Sequence, residues 1–228
     1  MKYYLITGGS GFVGRHLIKK MILEGKLIIN IDIKKPKKIL KNETFIQHNI
    51  EKEFKIPIKL NNIIAVVHLA AQTSSIISEE NPKQDLMTNV IGISNILEFS
   101  RKKNIPILFS SSMVVYGNKN NSFLSIYGIS KKFSESLLVH HNEQVNKVTI
   151  LRLFNVYGPG QNLNNLKQGM VSIFAFMAIK YKKIQINGTL TRSRDFMFIS
   201  DVVDQIDFNL NKMIISKNKK YLKICDVR

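Results

Sequence analysis

Acidic side chains are scarce in this chain, 16 against 34 lysines and arginines in 228 residues, which leaves a formal charge of +18. That balance invites a nucleic-acid reading, but the pattern argues against one. The charge is carried by lysines scattered among asparagines and isoleucines, without an arginine-rich arm or a basic stripe interleaved with aromatics. They read as solvated faces that attract anionic ligands generally, and nucleic acid only weakly and in a salt-dependent way. Cysteine is nearly absent. Cys225 stands alone, so no internal disulfide can form and a reducing compartment is expected. Long apolar runs are lacking too, which argues against a membrane-spanning helix. Met1-Lys2-Tyr3-Tyr4 leads straight into a strand pattern, so the expectation is no signal peptide and a cytoplasmic location. No internal repeat or long low-complexity segment breaks the chain, and its length suits one substantial core with at most a small lobe.

What is present is concentrated in Thr7-Gly8-Gly9-Ser10-Gly11-Phe12-Val13-Gly14. Tyr3 to Ile6 is a short apolar run suited to a buried parallel strand. From Phe12 onward, apolar residues recur at helical spacing. The glycines therefore sit at a strand-to-helix corner. Gly8 permits the tight turn, Gly11 lets backbone approach a pyrophosphate, and Gly14 lets the helix lie against the sheet, with phosphates facing the helix start. Alone, such a triplet can be an ordinary glycine-rich turn. Here the next strand, Leu27 to Ile31, ends in Asp32, about 20 residues beyond the glycines, where a ribose-binding carboxylate is expected.

Strands and helices alternate from there on, which argues for an α/β fold with a doubly wound parallel sheet. Thr44 to Ile50 reads as a short strand with its exit, where Asn49 and Ile50 would flank an adenine. His48 reads as a surface histidine, because no second metal-type residue lies at ligand spacing, and no metal site is expected elsewhere. Ile63 to Val67 is a further buried strand followed by His68-Leu69-Ala70-Ala71, whose small residues let backbone pass close to a cofactor. His68 has no carboxylate or nucleophile beside it and reads as structural rather than catalytic. A helix from about Gln84 to Lys103 is predicted to place Leu86, Val90, Ile93 and Leu97 on one face, with Asn89 beside that face and able to bond to a neighbouring loop.

Ile107 to Ser112 is an apolar strand that ends in three hydroxyls, at the sheet edge where open α/β folds bind ligands. Tyr127 and Lys131 are four apart on a predicted helix and share a face. A phenol with its usual pKa of about 10 is a poor base at neutral pH, and a neighbouring ammonium lowers that value. Ser112 could bond to the same substrate oxygen. Later, Asn155 follows a buried strand and could bind a ligand or stabilise a turn. Arg194 could be a solvated charge, or the planar donor that a diphosphate needs. A helix from about Leu166 to Lys180, a strand near Ile184 to Ile186 and a strand from Tyr221 to Cys225 complete the reading.

Thr7 to Gly14, His68 to Ala71, Ser110 to Gly117, the Tyr127/Lys131 pair, Arg152 to Gly160 and Arg194-Asp195-Phe196 together resemble the extended short-chain dehydrogenase/reductases. The subgroup is that of NAD-dependent sugar-nucleotide epimerases and dehydratases. The resemblance implies a Rossmann domain over residues 1–160, a partial substrate lobe over 161–198, and a helix and strand over 199–228 that return to the first domain. It implies Ser112, Tyr127 and Lys131 as the catalytic set. It implies NAD contacts from Gly8, Gly11, Phe12, Val13, Gly14, Asp32, Asn49, Ile50, Leu69, Ala70, Ala71, Asn89, Tyr127, Lys131 and Phe154. Asn155 and Arg194 would bind the sugar nucleotide.

Asp32 favours NAD over NADP, since its carboxylate accepts from a ribose 2′-hydroxyl and repels a 2′-phosphate. The expected reaction is 4-epimerisation of a UDP-sugar in surface-polysaccharide synthesis, by a homodimer that pairs helices near 84–103 and 129–141. Family dehydratases carry an Asp-Glu pair after the catalytic serine, whereas Met113 and Val114 follow Ser112 here. Dehydration and a non-catalytic NAD-binding protein are the alternatives. The sequence departs from the family twice: Asn49 replaces a usual aspartate, and family chains continue well past the strand near Tyr221 to Cys225, so an incomplete substrate lobe is expected.

Overall fold

The computed structural model of the chain describes residues 1–56, 62–117, 124–144, 147–186, 189–191 and 193–228. Seven short apolar runs become strands of one sheet: β1 (Tyr3–Thr7), β2 (Leu27–Asp32), β3 (Glu43–Gln47), β4 (Ile63–His68), β5 (Ile107–Ser112), β6 (Val148–Leu153) and, beyond a two-stranded ribbon of β7 (Asn155–Tyr157) and β8 (Phe196–Phe198), β9 (Leu222–Val227). Their order is β3-β2-β1-β4-β5-β6-β9, and every pairing is parallel. This is a Rossmann-type sheet. Parallel strands need crossovers, and those after β1, β4, β5 and β6 carry helices, which cover both faces of the sheet.

Strand alternation sends neighbouring side chains to opposite faces. Leu5, Ile29, Val66, Ile107 and Ile150 face one apolar layer, while Ile6, Ile28, Val67, Leu108 and Leu151 face the other. The second layer is closed by α1 (Phe12–Leu23) through Leu17, Ile18 and Met21. After β4 the chain forms α2 (Ser75–Glu80) and α3 (Pro82–Leu86), then a π-helical turn at Met87–Ile91, then α4 (Gly92–Arg101). α4 and α5 (Ile126–Gln144) close the first layer through Ile93, Ile96 and Leu138. After α6 (Met170–Tyr181), α7 (Ile199–Ile215) joins α1 on the second face with Val202, Ile206 and Leu210. Each of these fully buried aliphatic side chains contributes about 1.5–3 kcal/mol.

Four departures from the sequence reading have physical causes. The single helix expected over 84–103 begins at Pro82, capped by Asn81, whose side chain accepts from Gln84 N at 3.2 Å, and it is interrupted by the π turn. The extra residue of that turn offsets the register by one. Asp85 and Asn89 are buried, while Leu86 is exposed and Val90 only half-buried. α2 is an addition to the expected elements; Ser74 caps it by accepting from Ile77 N. Ile184 to Ile186 is not a strand: both isoleucines are exposed and the segment pairs with no described strand. The helix expected from Leu166 starts instead at Met170, after Gly169 takes φ 86°.

Strand order reverses between β1 and β4, so the connections that leave their carboxyl ends run in opposite directions and leave a crevice. β7 pairs with β8 in register Asn155↔Phe196, which brings the segment after β6 to the rim of that crevice.

Candidate active site

A cavity of about 850 Å³ opens at this crevice. One half is built from the ends of β1, β2 and β3. Gly8 has φ 70°, and a Cβ there would lie 2.6 Å from Ala70 N, so only glycine lets the first turn pass beneath the β4 exit. A Cβ on Gly14 would strike the backbone of Gly8 and Gly9, which fixes α1 hard against the turn. The cap residue of α1, Gly11, offers no side-chain bond to the helix start. Gly11, Phe12, Val13 and Gly14 line the cavity, and the unpaired first N–H groups of such a helix attract anionic oxygens. Asp32 lines the same end. Its Oδ2 accepts from Ser10 N at 3.0 Å and its Oδ1 from Lys34 N at 2.9 Å, which holds the carboxylate still with lone pairs to spare.

Asn49 and Ile50 line the cavity beside Asp32, with Ile50 buried against Gly92. Asn49 is held by its neighbour: Glu51 N donates to Asn49 Oδ1 at 3.0 Å, and Asn49 Nδ2 reaches Glu51 Oε2 at 3.3 Å. His48 is not a surface histidine. It is half-buried, lines the cavity, packs edge-on against Phe54 at 5.3 Å, and has a buried Nε2 with no hydrogen bond. Hydrophobic residues downstream, Phe54 among them, bring it inward, and no local spacing signals this.

The opposite wall comes from β4, β5 and α5. Leu69, Ala70 and Ala71 line it, with Ala70 N donating to Thr7 Oγ1 at 3.3 Å. His68 is buried and shares a 2.7 Å hydrogen bond with Thr7 Oγ1. Burial, with the Lys131 charge nearby, pushes its pKa down to about 3, so it is a neutral structural group. Ser112 lines the cavity and accepts weakly from Val114 N, at 3.5 Å, which leaves its O–H free to donate. Tyr127 and Lys131 both reach the cavity although they are almost wholly buried.

The electrostatics of this pair differ from the simple expectation. Lys131 Nζ donates to Ser110 O at 2.9 Å and stands 4.6 Å over the Phe109 ring. Desolvation pushes its pKa down to about 8, against the opposing pull of Asp85 and Glu135. Burial pushes the Tyr127 phenol up to about 12; the Ser112 hydroxyl beside it lowers the value and the Asp85 charge raises it. Without a ligand, burial of the phenol thus outweighs the groups that would lower its pKa.

Phe154 and Asn155 also line the cavity, and Asn155 Nδ2 donates to Asp195 O at 2.8 Å. Two expected contacts lie elsewhere. Asn89 is buried behind the wall, where its amide accepts from Gln72 N at 3.0 Å and donates to Asp85 and to Ser130, each at 3.1 Å. It braces the loop after β4 against α5. Arg194 is half-buried outside the cavity lining and donates to Ser193 O at 2.9 Å. Sequence reasoning missed the loop before α6, from which Gln161, Lys167 and Gln168 line the cavity. Ser74 Oγ donates to Lys167 O at 2.8 Å, and Lys167 pairs with Glu80. Among the described residues no cluster of metal-ligating side chains is found.

The cradle at Gly8 and Gly14, the open helix start and the braced Asp32 fit a dinucleotide. Known proteins point the same way. The sequence profile of the NAD dependent epimerase/dehydratase family matches residues 4–222. A Methanocaldococcus jannaschii protein provisionally named a UDP-glucose 4-epimerase is 34% identical over 87% of this chain and 70% of its own length. An Arabidopsis thaliana protein named UDP-glucuronic acid decarboxylase 3 is 28% identical over 88% of this chain and 64% of its own. The structure of Thermotoga maritima UDP-glucose 4-epimerase with UDP-glucose superimposes with a TM-score of 0.84 at 30% identity, over 99% of this chain and 76% of that one. With its glycine corner, its cavity and its whole sheet thus accounted for, the chain belongs to the NAD dependent epimerase/dehydratase family of enzymes.

Proposed function

We propose that the chain catalyses 4-epimerisation of a UDP-sugar, with residues 161–198 contributing a substrate lobe. The observation that carries this reading is what surrounds the reacting pair. Ser112, Tyr127 and Lys131 converge on one wall, and beside Ser112 that wall is made by Met113 and Val114. Dehydration needs a further acid and base to remove a C5 proton and a C6 hydroxyl. The carboxylates that line the cavity, Asp32 and Glu51, belong to the β2–β3 side.

Gly8, Phe12, Val13, Gly14 and Asp32 would hold the pyrophosphate and ribose of NAD, and Asn49 with Ile50 its adenine. NAD, when bound, would supply a reversible oxidation of the sugar at C4. Tyr127, as the phenolate, takes the C4 hydroxyl proton and later returns it. Ser112 donates to the same oxygen as it becomes a carbonyl. Lys131, still an ammonium below about pH 8, stabilises the phenolate by its charge. The 4-keto sugar turns over between the two half-reactions, so no net redox change results.

Incubation of the chain with NAD and UDP-glucose, UDP-N-acetylglucosamine or UDP-glucuronate should yield the corresponding 4-epimer by nuclear magnetic resonance. Release of carbon dioxide from UDP-glucuronate, or a 4-keto-6-deoxy product, would replace this reading by decarboxylation or dehydration.

A further inference from the structure

Asp85 is fully buried behind the Tyr127 wall and takes no part in the chemistry above. Its neighbours are amides: Oδ1 accepts from Gln72 Nε2 at 2.7 Å and from Asn89 Nδ2 at 3.1 Å, while Oδ2 is buried with no partner. The same Asn89 amide donates to Ser130 Oγ at 3.1 Å, and Ser130 Oγ donates to Tyr127 O at 3.0 Å. A carboxylate is thus tied through one side chain to the turn of α5 that carries Tyr127 and Lys131. Such a group is costly for packing alone, because neutral donors do not offset a buried charge.

We propose that Asp85 is a positioning residue which acts on Tyr127 and Lys131 through its charge, without touching the cavity. Its negative field keeps Lys131 an ammonium in a desolvated place and keeps Tyr127 protonated until a positive group enters the cavity. The assignment of Tyr127 and Lys131 rests on the reading above, but the field does not depend on turnover. Among the described residues, Lys131 also interacts with Glu135 on α5, itself paired with Arg152, and stands near neutral His68 on β4.

The test is the Asp85→Asn chain, without NAD or substrate. Lys131 is followed by the pH dependence of its ¹³Cε resonance, identified by its loss in Lys131→Met. Tyr127 is followed by phenolate absorbance against Tyr127→Phe. Loss of a nearby negative charge lowers both values, by about one unit or more at close range. Mere loosening of the wall would let water in, which lowers the tyrosine value but raises the lysine value. A fall at Lys131 therefore supports the proposal, and a rise or no change there overturns it. Asp85→Ser carries the same expectation if the asparagine variant does not fold. Because neither readout needs catalysis, the role of Asp85 is tested even in a chain that proves not to be an epimerase.

Discussion

At the scale of single residues the cavity sets its own tests. Tyr127→Phe should lower turnover by roughly 10²–10⁴-fold, the usual worth of a positioned acid-base group, while NAD binding followed by calorimetry stays near the original. Asp32→Ala removes a charged acceptor worth about 1.5–3 kcal/mol, so NAD should bind at least tenfold more weakly and its advantage over NADP should shrink. His68 links the site to pH. Its folded pKa, about 3, lies below the ordinary 6.5, so the unfolded chain binds the extra proton in that window. Stability is therefore complete above about pH 6.5 and falls as the pH drops toward 3, by at most about 1.4 kcal/mol per unit for this one group. Urea midpoints at pH 7 and pH 5 should show the fall, and His68→Gln should flatten it.

At the scale of elements, the site is only as firm as the joints beneath it. Gly14→Ala would push α1 off the first turn, because the clash is with backbone. A loss of about 1–3 kcal/mol in urea unfolding is expected, together with a loss of NAD binding.

What could be read from sequence at this scale was local. The corner from Thr7 to Gly14, Asp32 at the end of β2, and Tyr127 and Lys131 one turn apart each carry their meaning in short spacings, and each lies where expected. The failures are those of distance. A π turn shifts register by one and exchanges Leu86 for Asp85 at the buried face. Phe54 draws His48 inward, and Ser110 O captures the Lys131 ammonium from a strand 21 residues away. Arg194 lies outside the lining, and no local pattern says how the segment before β8 folds back.

For the molecule as a whole, charge and association matter most. A net +18 should speed capture of anionic nucleotides in a way that salt suppresses. The association rate for NAD in stopped flow should therefore fall as ionic strength rises from about 10 mM, where the screening length is about 30 Å, to 150 mM. Ile91, Ile129 and Phe133 are exposed apolar side chains on the π turn and α5, the elements through which the homodimer is expected to form. Sedimentation should give a dimer, and Phe133→Glu should shift it toward monomer.

The place of β9 beside β6 has a consequence for synthesis. Its partner, residues 148–153, leaves the ribosome about seventy residues earlier, a delay of several seconds at the usual 5–20 residues per second. Throughout that interval β6 carries an open hydrogen-bonding edge, while the glycine corner and its nearest strands are already complete. A nascent chain should thus be able to hold its cofactor before β9 pairs with β6, and ligand present during translation would act as a folding aid for the strands that follow.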